Sequence, residues 1–181
     1  FPKVCFIQNQ TAADQADNNV GVLELKKIRF VDLDRQHASI RESLVSAAKR
    51  VIESGNYIGG DEVKSFEKEM AAWLGVEEVC GVACATSGLF AVLQCMGIGP
   101  GDEVLTTVHT AIATAEAVSL TGAKVVFCDI GPEGFNIDFD DLERKITPRT
   151  KAFIPVHLYG QPFDVERALR IKQKHGLLFI E

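Results

Sequence analysis

Long apolar runs are missing from this chain. None is extended enough to cross a bilayer, and the first residues carry no signal-peptide core. Cysteine is present but unpatterned: Cys5, Cys80, Cys84, Cys95 and Cys128 form no C-x-x-C pair and meet no histidines at zinc-ligand spacing. An odd number of cysteines scattered through apolar segments points to reduced thiols, and so to a soluble cytoplasmic protein. Basic residues are outnumbered, 19 against 25 acidic ones, for a formal charge of −6. That balance argues against nucleic acid or an anionic membrane as a partner. No G-x-G-x-x-G follows a strand-like run, which counts against a plain dinucleotide-binding domain. What is present is enough core for one domain: 181 residues, 46% of them hydrophobic.

The chain turns on Val79–Asp102, VCGVACATSGLFAVLQCMGIGPGD. It reads as a short buried strand over 79–83, a sharp turn, and a helix entered at Thr86. Leu89, Val92, Leu93 and Met96 supply that helix with a stripe facing a sheet, and Gly97-Ile98-Gly99-Pro100-Gly101 ends it. The turn Cys84-Ala85-Thr86-Ser87-Gly88 is built of small residues. The first amides of a helix have no partner inside it, and the positive end of the dipole favours a phosphate or carboxylate there. Thr86 and Ser87 add hydroxyl donors, although such a pair also makes an ordinary helix cap.

The rest of the chain is regular. Residues 1–27 are polar and aperiodic, which reads as disorder or extraneous sequence, Gln8–Asn19 above all. Ile40, Leu44, Ala47, Ala48, Val51 and Ile52 predict a helix over 36–53. After the Gly55–Gly60 loop, a second helix turns Val63, Phe66, Met70, Trp73 and Leu74 inward. Strands are expected at 103–106, 124–129, 151–156 and 177–181. Helices are expected over 111–120, from an Asp138 cap to Ile146, and from an Asp164 cap to His175. Alternating strands and helices specify an α/β fold, a three-layer α/β/α arrangement on a mainly parallel sheet. Ending on a strand, the sequence reads as a fragment.

Ligands collect beyond the carboxyl ends of such strands. The segments there are 84–88, 107–111, 129–134 and 157–161, with Glu181 after the last strand. Each candidate carries two readings. His109 is a loop residue bonded to a carbonyl or a ligand contact, and His157 supports its own loop or faces a ligand. Tyr57 is a surface aromatic or a pocket wall beside Gly59-Gly60. Glu181 is an exposed strand end or an acid for chemistry. The cluster Asp138-Asp140-Asp141-Glu143 reads as a solvated helix start rather than a metal site.

Four strings carry a resemblance over roughly 28–181. They are Tyr57-x-Gly59-Gly60-x-Glu62-Val63-x-x-Phe66-Glu67-x-Glu69; Gly97-Ile98-Gly99-Pro100-Gly101-Asp102-Glu103-Val104; Ile146-Thr147-Pro148-Arg149-Thr150-Lys151-Ala152; and Ile154-Pro155-Val156-His157-Leu158-Tyr159-Gly160-Gln161-Pro162. Together they resemble the DegT/DnrJ/EryC1/StrS sugar aminotransferases. The resemblance implies fold type I of the pyridoxal 5'-phosphate enzymes, the aspartate aminotransferase-like large domain, here incomplete. It implies amino transfer, usually from glutamate, to a nucleotide-linked keto sugar, by a homodimer. The family's phosphate turn falls on Ala85, Thr86 and Ser87, with Ala85 in place of the usual glycine. Tyr57, Gly59 and Gly60 fall at the substrate side.

Two departures accompany the resemblance. Where many members stack an aromatic ring on the cofactor this chain has Ala111, which makes His109 a candidate to cover the ring. The family's aspartate for the pyridine nitrogen and its cofactor-bound lysine fall beyond Glu181. None of Lys145, Lys151, Lys172 or Lys174 matches that lysine, so no catalytic residue is expected within the chain. A sugar dehydratase of the same fold, with histidine in place of the lysine, and a non-catalytic sensor built on it are the rival readings.

Overall fold

The computed structural model describes residues 29–181. The expected extension over 1–27, including Cys5, lies outside the described residues. The chain divides into two units, one ending at Ile58 and the other running from Gly59 to Glu181.

The first unit contains α1 (Leu33–His37) and α2 (Arg41–Ser54). Asp32 caps α1, and Gly55 in the left-handed conformation closes α2. The helix expected over 36–53 is thus broken near Ala38. Its apolar stripe is not covered: Leu44 and Ile52 are 45% and 65% exposed.

The second unit carries α3 (Asp61–Leu74), α4 (Ala85–Cys95), β1 (Glu103–Thr107), α5 (Ile112–Leu120), β2 (Lys124–Cys128), α6 (Phe139–Arg144), β3 (Thr150–Ile154), α7 (Val165–His175) and β4 (Leu178–Phe179). All pairings are parallel, in the order β2-β1-β3-β4. Strand positions alternate between two cores. Val104, Ala152 and Ile154 pack with Leu93, Ala117 and Val118 of α4 and α5. Leu105 and Phe153 pack with Phe139 and Leu142 of α6 and with Ala168 and Ile171 of α7. The central strands β1 and β3 are therefore buried between helical layers while the edge strand β2 stays partly exposed, the three-layer fold expected.

Local chemistry sets the boundaries. Asp138 accepts from the amides of Asp140 and Asp141 to open α6, and Asp164 accepts from Arg167 N at 2.8 Å to open α7. Gly122, at φ +83°, makes the turn into β2, where a Cβ would stand 2.9 Å from the Pro100 ring. At the amino ends of the strands the buried Glu103 accepts from Thr147 Oγ1 at 2.6 Å and from Arg149 Nη2 at 2.8 Å. Those bonds, Thr147's first, hold its carboxyl down at about 2.

Three further expectations fail, all in the second unit. Residues 79–83 form no strand, and Gly81, Val82 and Ala83 are exposed. Apolar β-branched composition is a local property, whereas a strand needs a neighbour, and among the described residues none of the four strands pairs with this segment. On α3, Val63, Phe66, Trp73 and Leu74 are 39%, 51%, 80% and 53% exposed, and only Ala71 is buried. On α4, Leu93 is buried but Val92 and Met96 are 40% and 56% exposed. Helical period identifies an apolar face; it does not supply what covers that face.

Candidate functional site

The sheet reverses direction between β1 and β3. From β1 the chain crosses through α5 to β2 on one side, then returns through α6 to place β3 on the other. A crevice opens where such connections part, outside the carboxyl ends of the strands. The segments after β1 and β3 border it, and they carry His109, His157 and Tyr159.

The phosphate-turn candidates sit at the start of α4. Cys84 is extended, at φ −162° and ψ 166°, and Ala85 is the first helical residue. The turn is held by a reciprocal cap: Cys84 N–H donates to Ser87 Oγ at 3.2 Å, and Ser87 Oγ–H donates to Cys84 O at 2.8 Å. Ser87 is thus engaged in shaping the turn, and must rotate to donate elsewhere. Thr86 and Ser87 are half-buried, whereas Cys84 and Ala85 are exposed.

Cys84 reports what this place does to negative charge. Its thiol is shifted below the ordinary range, first by the Ser87 hydroxyl and then by the Ser87 amide; burial opposes them, and the Thr86 hydroxyl and amide add weaker lowering contributions. Donors that stabilise a thiolate stabilise a phosphate oxygen by the same hydrogen bonds, so the residues present fit a phosphate group. Cys128 is the contrast: buried at the end of β2, its thiol is pushed up to about 12 by desolvation. Iodoacetamide is expected to modify Cys84 in the native chain while leaving Cys128 intact. Saturating inorganic phosphate should slow the Cys84 reaction several-fold, read by peptide mass mapping. Equal reactivity of the two, or no phosphate protection, contradicts the anion site.

His109, exposed after β1, is not alone. Its ring lies 5.7 Å from Phe135 and 6.1 Å from Tyr159, and those two rings meet edge to face at 5.4 Å. Ala111, the N-cap of α5, brings no ring of its own. His157 and Glu181 are also joined: His157 Nε2 lies 2.5 Å from Glu181 Oε1, linking the exits of β3 and β4. Phe163 N–H donates to His157 Nδ1 at 3.3 Å, which leaves Nε2 to carry the proton of the neutral ring. Phe163 also stacks on that ring at 4.0 Å.

Tyr57 lies in the first unit, 64% exposed, with its hydroxyl 3.5 Å from Ile52 O. Gly59, at φ +63°, and the buried Gly60, N-cap of α3, open the second. Lys145 is held by Asp141 at 2.6 Å and by Phe127 O, a structural role.

A family model for the DegT/DnrJ/EryC1/StrS aminotransferase family matches residues 38–181. The chain belongs to this family. A Pseudomonas aeruginosa relative, UDP-2-acetamido-2-deoxy-3-oxo-D-glucuronate aminotransferase, is 44% identical over 85% of this chain and 43% of its own length. A Streptomyces venezuelae relative, dTDP-3-amino-3,4,6-trideoxy-alpha-D-glucose transaminase, is 39% identical over 87% of this chain and 42% of its own. Among solved structures, a DegT DnrJ EryC1 StrS aminotransferase from Brucella abortus superposes with a TM-score of 0.82, at 40% identity, over 86% of this chain and 43% of that one. The Bacillus subtilis ntda structure with bound cofactor pmp gives 0.82 at 32% identity, over 87% and 37%. The chain thus spans about two fifths of the length of the curated relatives it matches.

For this family member, sequence reading missed Phe135 and Tyr159 as partners of His109. The available signals were a loop placed after β2, ending one residue short of Phe135, and the Tyr159-Gly160 pair. It named His157 and Glu181 separately, without a reason to join them.

Proposed function

We propose that the full-length protein is a pyridoxal 5'-phosphate-dependent aminotransferase that moves an amino group, from glutamate, onto a nucleotide-linked keto sugar. The observation that carries this reading is the opening turn of α4 in a chain of this family: the extended Cys84 leads into a helix whose first amides, beside the Thr86 and Ser87 hydroxyls, have no acceptor inside the helix. Relatives named for UDP- and dTDP-linked sugars support the substrate class. The Bacillus subtilis structure with bound pmp supports the cofactor.

When bound, the cofactor supplies a ring that accepts electrons from the reacting carbon. The residues of this chain do the holding. The amides of Ala85 and Thr86 and the Thr86 hydroxyl take the phosphate; Ser87 keeps the turn in shape and adds a donor by rotating its hydroxyl. His109 covers the ring in the absence of an aromatic residue at Ala111. His157 holds Glu181 at the exit of β4, next to where the family's nitrogen-pairing aspartate follows. Tyr57 and the Gly59-Gly60 turn border the substrate. The rest of the reading is a cytoplasmic homodimer, with residues 28–181 as the first part of its large domain. Among the described residues, no helix is long and apolar enough to cross a membrane.

The groups that move protons, the cofactor-bound lysine above all, are placed beyond Glu181 by this reading. The 181-residue chain with pyridoxal phosphate, glutamate and a keto-sugar nucleotide is therefore expected to release 2-oxoglutarate no faster than free cofactor does. Turnover well above that background would overturn the proposed division of labour.

A further inference from the structure

The outer edge of β2 is closed by side chains instead of by a strand. Lys124 N–H donates to Asp102 O, and Cys128 O accepts from Val108 N–H, both at 2.9 Å. Backbone groups alternate sides along a strand, so those of Lys124, Val126 and Cys128 face β1, while those of Val125, Phe127 and Asp129 face outward. Among the described residues no strand lies beyond β2 to meet them. Outward groups nevertheless have partners, supplied by the segment that leads into and forms α6. Asp129 O accepts from Asp138 N–H at 2.9 Å. Asp129 N–H donates to Asp141 Oδ2 at 2.8 Å, and Phe127 O accepts from Lys145 Nζ at 2.9 Å. Asp141 and Lys145, one helical turn apart, also hold each other at 2.6 Å. An acceptor and a donor thus stand where an adjacent strand would place its own carbonyl and amide.

The clasp closes off a run that invites pairing. Lys124–Cys128 reads KVVFC, β-branched and aromatic with a single charge, and Phe127 is 45% exposed. An unpaired edge of that composition is a template for another strand. Lys124 and Asp129 bracket the apolar residues with charge, a common way of interrupting such runs. The Asp141–Lys145 pair goes further and occupies the hydrogen-bonding groups themselves. It also stays charged: the Asp141 carboxyl is held down at about 2, first by the bond from Lys145 and next by the Asp129 amide. An incoming strand would have to strip Lys145 from Phe127 O before it could extend past Val125.

We propose that Asp141 and Lys145 guard the β2 edge, standing in for a neighbouring strand so that a second copy of this chain cannot add its own β2 there. Pairing of β2 with β2 between copies is the state they hold off. The Phe127 N–H and the outward groups of Val125 are free of any strand among the described residues and would begin it, and two identical apolar runs would extend it.

The test compares the 181-residue chain with Lys145→Met and Arg144→Met by sedimentation over a range of concentrations. Each variant removes one positive charge from the end of α6. Arg144 bonds Asp141 at 3.2 Å, whereas Lys145 bonds the β2 backbone as well. Lys145→Met should tighten self-association about tenfold, because the incoming strand no longer displaces a charged donor. Arg144→Met should leave it near that of the parent chain. Hydrogen exchange identifies the surface: in Lys145→Met the amides of Val125 and Phe127 should gain protection as concentration rises, while those of Leu105 and Phe153 stay protected throughout. Adding Phe127→Lys, a charge at an exposed edge position, should return the double variant to the parent's behaviour. No gain in association for Lys145→Met, or an equal gain for Arg144→Met, overturns the proposal. So does association that leaves the Val125 and Phe127 amides unprotected, or that comes with lost protection at Leu105 and Phe153, which would mark unfolding.

Discussion

Replacing Phe153 with alanine is expected to lower the stability of the second unit by about 3–5 kcal/mol. Phe153 is at 0% exposure in the middle of β3, stacks on Phe179 with ring centroids 5.2 Å apart, and faces Leu105, Leu142 and Ile171. Its removal takes away apolar burial and leaves a cavity that strands fixed by their ladders cannot close. The lost ring also supports β4, a strand of two residues that among the described residues pairs only with β3. Urea unfolding of the chain and the variant measures the loss; Phe153→Leu should cost much less, because most of the volume is kept. A loss near zero for alanine would mean that this face of the sheet is not packed.

The second large effect falls on function. Thr86→Glu should abolish capture of phosphate-bearing ligands, because it sets a carboxylate among donors arranged for an anion. Thr86→Ala should be milder, removing one hydroxyl donor to a charged acceptor. Such a bond contributes about 1.5–3 kcal/mol, or roughly 10–100-fold in affinity. Calorimetric titration with pyridoxal 5'-phosphate measures both. Ser87→Ala separates the two duties of the turn: its hydroxyl bonds the N–H and the carbonyl of Cys84, so its loss opens the cap and costs about 1 kcal/mol of helix stability. If Thr86→Glu bound as tightly as the parent chain, the phosphate would have to lie elsewhere.

Much of the second unit was legible in the sequence because strand composition and helix caps leave a plain local trace. β1, β2 and β3 are short apolar runs with β-branched residues, and Asp138 and Asp164 announce their helices. The failures share one cause. Val79–Ala83 has the composition of a strand, and α3 has the period of a packed helix, but pairing and cover depend on segments distant in the chain. The candidate site divides along the same line. The turn at Ala85–Ser87 could be read because a helix start and its donors are local. The ring cluster could not, since His109, Phe135 and Tyr159 meet only after β3 is placed beside β1. The His157–Glu181 pair needed β4 beside β3 for the same reason.

The measurement that bears most directly on the central claim is an amide NMR titration of the 181-residue chain with pyridoxal 5'-phosphate, repeated with pyridoxal. The account predicts that the amides of Ala85, Thr86 and Ser87 move with the phosphorylated compound and stay in place without the phosphate. If those three amides ignore the phosphate while others respond, the opening turn of α4 is not where this protein holds its cofactor.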